Sequence, residues 1–189
     1  MDEYLEIRFH GRGGSGTWTA AQLTALAAIK ESKYAQCFPL FGPERAGAPL
    51  ESYVRIGDKP ILVHSMIYSP DVVVILDKNL LPLSIGGLKE DSIVIVNSTK
   101  KIRGVLEKIG LNKNRVFHVP ATEIALKNLG RPIANTAMIG ALVKITGFVK
   151  LETVEEALKK LFKGKLSMMV IERNINAMRE AFKGVVDVD

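Results

Sequence analysis

Cysteine is nearly absent. Cys37 is the only one among 189 residues, so the chain closes no internal disulfide and cannot alone supply the thiolates of a four-cysteine iron–sulfur cluster or zinc site. A lone thiol among apolar neighbours reads as a small buried hydrophobe. Histidine is scarce too: His10, His64 and His118 are scattered without ligand spacing, and no metal-binding residues are expected. Aromatic residues make up 6% of the chain; with no stacking motif beside the basic residues, nucleic acid is set aside as a partner. No apolar run reaches the roughly 20 residues of a membrane-spanning helix, so no membrane partner is expected. The acidic start Met1-Asp2-Glu3 lacks a signal-peptide pattern, and a soluble, cytoplasmic location is expected.

What is present is a globular composition, 47% hydrophobic, in a length suited to one domain spanning residues 1–189. Charge is uneven. Residues 1–99 hold 9 basic and 11 acidic side chains, whereas residues 100–189 hold 17 and 9, so a chain of net +6 is −2 in its first half and +8 in its second. Such a basic surface is either simply solvated or attracts an acidic protein partner or an anionic ligand.

The chain is organised around Gly11-Arg12-Gly13-Gly14-Ser15-Gly16. Before it, residues 4–10 alternate with Leu5, Ile7 and Phe9 on one face, the period of a strand. After it, residues 17–30 are apolar nearly all round and alanine-rich, the pattern of a buried helix. Gly16 is expected to let the first turn of that helix approach the strand. Residues 35–50, with three prolines and two glycines, show neither period and read as a long functional loop. Alternation returns at 51–56; residues 61–63 are a short strand candidate. Residues 72–76 and 92–97 are uninterrupted β-branched runs, the mark of central parallel strands covered on both faces. Residues 116–119 make another strand. Helices are expected at 79–84, 101–109, 121–129, 135–146, 152–162 and 166–182, the small residues of 135–146 allowing close packing. Thr153 with Glu156 fits a capping box, and residues 187–189 read as a frayed tail. The expected architecture is a three-layer α/β/α single domain with a mixed, mainly parallel sheet and a helical C-terminal third.

A strand entering a helix through a glycine loop brings backbone N–H groups to a helix N-terminus, an arrangement suited to phosphate. Gly11, Gly13 and Gly16 match the spacing of a dinucleotide fingerprint. The ribose-binding acid expected roughly 20 residues later is missing from 32–40, which also shows no strand pattern. A P-loop is excluded, since no Gly-Lys-Ser/Thr follows. Gly14-Ser15-Gly16 is no nucleophile elbow, no carboxylate pair stands out, and no catalytic residue is assigned. Asp77 and Asn97-Ser98-Thr99, each after a buried strand, either bind a ligand or cap and turn the chain.

Several segments in order carry a resemblance: the glycine loop, then Phe41-Gly42-Pro43-Glu44-Arg45-Ala46-Gly47-Ala48-Pro49, then Tyr53-Val54-Arg55-Ile56 and Lys59-Pro60-Ile61, then Pro70-Asp71 before the run ending at Asp77. Together they resemble the gamma subunit of the 2-oxoacid:ferredoxin oxidoreductases, and 41–45 looks closest to the pyruvate and 2-ketoisovalerate enzymes. The resemblance implies a subunit of a complex with alpha, beta and delta chains and ferredoxin as electron acceptor. Such a complex decarboxylates a 2-oxoacid, pyruvate being favoured, on thiamine diphosphate with Mg2+. It passes two electrons through [4Fe–4S] clusters and forms an acyl-CoA from coenzyme A. Those cofactors are implied to sit on the other subunits. Within such a complex this chain has two open roles: the anion-ready loop Gly11, Arg12, Gly13, Gly14, Ser15 and Gly16, with Arg45, helps hold coenzyme A, or the loop's glycines permit close backbone contact with a neighbouring subunit. A subunit of an indolepyruvate-type enzyme and a stand-alone nucleotide-binding protein remain the alternatives.

Overall fold

The computed structural model describes residues 4–40, 47–99, 104, 107, 110–111 and 115–188. Among them, seven strands form one mixed sheet in the order β2-β3-β1-β4-β5-β6-β7. Its centre is parallel: β1 (Leu5–Arg12), β4 (Val72–Ile75), β5 (Ile93–Asn97) and β6 (Arg115–Val119) run side by side. β3 (Pro49–Gly57) and β2 (Tyr34–Leu40) extend it antiparallel on one side, and β7 (Val186–Asp187) on the other.

The central strands follow from their β-branched runs. Val72 and Val74 point into one core while Val73 and Ile75 point into the opposite one, so every side chain of β4 is buried. The larger core lies under α1 (Thr17–Lys30), α4 (Asn135–Thr146), α5 (Leu151–Phe162) and α6 (Met168–Gly184). The smaller holds Leu80 and Leu81, which end a 3-10 turn (Lys78–Leu80) and begin α2 (Leu81–Ser84). α3 (Ala121–Leu129) joins the first group and ends at Gly130, whose positive φ of 69° closes its last turn. Among the described residues no helix is long and apolar enough to cross a membrane.

Several expectations are corrected. Residues 34–40 are a strand rather than loop. β2 is an edge strand, which tolerates Pro39 because an edge can spare a ladder donor. The Phe38 ring stacks on Tyr53 at 5.1 Å between centroids and holds it to β3. Pro49 and Leu50, placed in the same loop by the sequence, begin β3. Residues 61–63 are not a strand; Leu62 and Val63 lie exposed. The capping box does not form. Helix α5 starts at Leu151, and Glu31 caps it from beyond the end of α1, its Oε1 accepting from Lys150 N–H (2.7 Å) and Thr153 Oγ1 (2.6 Å). Helix α6 starts at Met168 with Ser167 as its cap, the hydroxyl accepting from Val170 N–H. Asp187 is no frayed tail: it belongs to β7, and Val188 N–H donates to Val116 O at 2.9 Å. The expected helix at 101–109 lies largely outside the described residues. Cys37 is half-buried on β2, and burial pushes its thiol pKa up.

Candidate functional site

The glycine loop joins the end of β1 to the start of α1. A Cβ on Gly11 would overlap Thr17 Oγ1 and lie 2.7 Å from Ser15 Oγ, so only glycine lets the helix begin this close to the strand. Ser15 closes the turn: its N–H donates to Arg12 O at 2.9 Å, its Oγ accepts from Arg12 N–H at 3.2 Å, and it shares a 2.7 Å hydrogen bond with Thr17 Oγ1. Gly14 and Gly16 take φ of +89° and +81°, left-handed values that favour glycine. Gly16 faces the first residue of α4 rather than the strand expected from sequence: a Cβ there would overlap Asn135 Nδ2 and come within 2.8 Å of its Cγ. Gly13 is braced from the β3 side, donating to Ala48 O (2.9 Å) and accepting from Gly47 N–H (3.1 Å). No side chain caps α1. The N–H groups of its first turn are therefore the loop's donors left for another acceptor.

Arg12 points across the sheet. Its Nε donates to Asp77 Oδ2 at 2.5 Å and its Nη1 to Gly47 O at 3.1 Å. Asp77 also caps the turn after β4 by accepting from Asn79 N–H at 3.0 Å. Burial pushes the Asp77 carboxyl pKa up, but the hydrogen bonds from Arg12 and Asn79 outweigh it and hold the group below the ordinary 3.8. Asn97 ties β5 to α3: its Nδ2 donates to Leu76 O (2.8 Å) and Thr122 Oγ1 (2.7 Å), and its Oδ1 accepts from Thr122 N–H (3.1 Å). Asp77, Asn97, Ser98 and Thr99 thus line one cleft of about 270 Å³ at the strand ends, where open α/β sheets gather ligands. The polar atoms of Asp77 and Asn97 are engaged within the chain. Arg45 lies outside the described residues.

A larger cavity, of about 600 Å³, opens at the uncapped start of α1. Gly14, Gly16 and Thr19 form one wall, Arg131, Asn135, Arg173 and Asn174 another, and Phe162, Leu166 and Val170 an apolar side. Arg131 and Arg173 are exposed and make no ion pair among the described residues. Helix donors, two uncommitted guanidinium groups and an apolar wall suit an organic anion, held rather than chemically changed. Sequence reasoning missed both arginines. They sit more than 100 residues beyond the loop, after α3 and within α6, and the one trace they leave in the sequence is the +8 charge of the second half. Among the described residues no group of three or more His, Cys, Asp or Glu is placed to hold a metal.

A family model for pyruvate ferredoxin/flavodoxin oxidoreductase matches residues 6–184. The chain belongs to this family. It is 52% identical over 184 residues, 96% of this chain and 97% of the other, to the common gamma subunit of the pyruvate/ketoisovalerate oxidoreductases of Thermococcus kodakarensis. The crystal structure of pyruvate oxidoreductase subunit PORC from Thermotoga maritima superposes with a TM-score of 0.88 at 40% identity, covering all of both chains. A 2-oxoglutarate:ferredoxin oxidoreductase from Magnetococcus marinus, solved with 2-oxoglutarate, coenzyme A and succinyl-CoA bound, shares the fold at TM-score 0.78 and 18% identity, over 96% of this chain and 31% of that one. Within the oxidoreductase family this is a gamma-type chain, one subunit of a pyruvate/2-oxoacid:ferredoxin oxidoreductase complex.

Proposed function

We propose that this gamma subunit works as one domain, residues 1–189, in a cytoplasmic complex with alpha, beta and delta subunits. The complex turns a 2-oxoacid, pyruvate first among them, and coenzyme A into acyl-CoA and CO2, passing two electrons to ferredoxin. Thiamine diphosphate with Mg2+ and the [4Fe–4S] clusters belong to the other subunits. This chain's residues do not fit a cluster, since Cys37 is its only thiol.

The chain's own part is to help hold coenzyme A. The observation that carries this is the 600 Å³ cavity where the uncapped α1 meets Arg131 and Arg173. Coenzyme A offers phosphates for the helix donors and guanidinium groups, and an apolar pantetheine arm for the Phe162 and Leu166 side. The Magnetococcus enzyme, solved with coenzyme A bound, contains this fold within 31% of its chain. Gly11 and Ser15 shape the loop, Gly13 braces it, and Gly14 and Gly16 line the cavity. Arg12, on this reading, acts by anchoring the loop to Asp77 and Gly47. Arg45 is a further cation for the same ligand.

The test is calorimetric titration of coenzyme A into the purified complex. Losing one charge-assisted contact at such a rim weakens binding about tenfold. Arg131→Ala and Arg173→Ala are each expected to do so, with the affinity for the 2-oxoacid unchanged. Arg12→Ala and Arg45→Ala complete the series. Unchanged coenzyme A affinity in all four would remove the role.

A further inference from the structure

The sheet face opposite α1 is unusually polar where β3 and β1 meet. The register places Arg8 beside Tyr53 and His10 beside Glu51. Towards one end the guanidinium groups are anchored, with only Arg8 Nε left without a partner among the described residues. Arg55 donates to Glu6 Oε1 (2.6 Å), Ser65 O (2.7 Å) and Met66 O (3.1 Å), and Arg8 to Ser84 O (3.0 Å) and Gly86 O (2.6 Å). The other end is different. His10 is 4% exposed, its Nδ1 faces Glu51 Oε1 at 3.6 Å, and its Nε2 has no hydrogen-bond partner among the described residues. Glu51 is fixed in turn by the Tyr53 hydroxyl, which donates to Oε2 at 2.6 Å.

His10 lines a cavity of about 330 Å³ with Leu40, Glu51, Leu80 and Leu83. Burial, helped by the nearby Arg8 charge, holds the imidazole pKa down to about 3, so the ring is neutral. At 3.6 Å the Glu51 carboxylate is too far for a hydrogen bond to Nδ1 but favours the proton of a neutral ring on that side, the tautomer in which Nε2 is a buried acceptor without a donor. A native fold rarely leaves such a group unmatched. Leu83 stands at the rim, 69% exposed. The chain over the neighbouring part of this face exposes Leu62 (81%) and Tyr68 (70%). A Cβ on Gly87, just after α2, would overlap the Tyr68 carbonyl oxygen, so the backbone at Tyr68 lies against the chain leaving α2.

We propose that this cavity is a socket for a neighbouring subunit of the complex, which seats one tyrosine or tryptophan there with its O–H or N–H donating to His10 Nε2. The inference rests on the gamma-subunit assignment above. Tyrosine and tryptophan combine a large apolar body with a donor tip and are enriched at interfaces; the leucine walls take the ring, and Nε2 takes the donor. A small solute would fill the cavity but leave Leu83 at its rim in water, whereas a protein surface covers both.

The test co-expresses the chain with its partner subunits and measures its dissociation from the complex by native mass spectrometry and titration. Leu83→Asp alters an exposed side chain, so folding is spared. It is expected to weaken assembly roughly thirtyfold or more, as loss of a central apolar contact does. His10→Phe keeps the bulk and removes the acceptor, and is expected to cost about tenfold. Met168→Asp, at an exposed position on α6, is expected to change nothing. Amide exchange at the end of β1 and in α2 slows in the complex relative to the isolated chain. Assembly that tolerates both Leu83→Asp and His10→Phe, or exchange at these segments that is the same in the complex and the isolated chain, would overturn the proposal while leaving the gamma-subunit assignment intact. A wild-type chain that does not join its partners would overturn both.

Discussion

Replacing Gly140 by alanine sets two local effects of opposite sign against each other. Gly140 lies in the middle of α4, where α6 crosses it. A Cβ there would overlap the carbonyl oxygen of Met178, 2.9 Å from the carbonyl carbon and 3.2 Å from Cα. All three atoms are helix backbone, so no side chain can turn away. The surrounding Ala137, Ala141, Ala177 and Ala181 are fully buried, so the helices have no slack and must move apart. Overfilling of this kind costs about 1–3 kcal/mol, and backbone against backbone belongs at the upper end. Alanine's better helix propensity returns about 1 kcal/mol, leaving a net loss of about 2 kcal/mol. In a domain of this size that lowers Tm by roughly 4–8 °C. Thermal unfolding followed by circular dichroism reads the change, with the denaturant midpoint as a second measure at unchanged m-value. Propensity alone predicts the reverse sign. A Gly140→Ala chain as stable as the wild type, or more stable, would refute the close helix contact.

Gly11→Ala is expected to lower Tm because its Cβ meets Thr17 Oγ1 and Ser15 Oγ, and Thr17→Ala in the same chain should restore part of the loss; no recovery would place the strain elsewhere. His10 gives a pH dependence. Its folded pKa of about 3 lies below the ordinary 6.5, so the unfolded chain takes up the proton first and stability is lost as pH falls from 6.5 towards 3. At pH 5 that loss amounts to about 2 kcal/mol. The gap between urea stabilities at pH 7 and pH 5 should therefore be smaller in His10→Phe, and equal gaps would contradict the buried neutral ring. Asp77, held below 3.8, stabilises above its unfolded pKa and loses that contribution as pH falls through its folded one. The stability lead of wild type over Asp77→Asn should close below about pH 4, and a lead unchanged down to pH 2 would count against the Arg12–Asp77 pair.

The parts of the fold legible in the sequence were those in which local pattern and tertiary environment agree. The runs at Val72–Ile75 and Ile93–Asn97 are β-branched because both sheet faces are covered there, and the alanines of α1 are small because the helix lies on the sheet. What was illegible depends on partners distant in the chain. β2 has no periodic burial because it is an edge strand, with all but its exposed first residue partly buried. Thr153 carries a local capping motif, yet its hydroxyl goes to Glu31, 122 residues earlier. In the candidate site, the glycine loop announced itself through residues that had to be glycine. Arg131 and Arg173 did not, because exposed arginines are ordinary residues until the fold brings them beside an uncapped helix. His10 looked like one more strand residue, since only the register sets it beside Glu51 and under Leu83.

The most direct measurement is purification of the native complex through a tag on this chain, followed by analysis of subunits, iron and thiamine diphosphate and an assay of coenzyme A-dependent pyruvate oxidation with ferredoxin. Alpha, beta and delta chains are expected with the tagged one, iron and thiamine diphosphate are expected to be present, and ferredoxin is expected to be reduced when pyruvate and coenzyme A are both supplied. Recovery of the chain alone, without iron, thiamine diphosphate or activity, would contradict the role in such a complex.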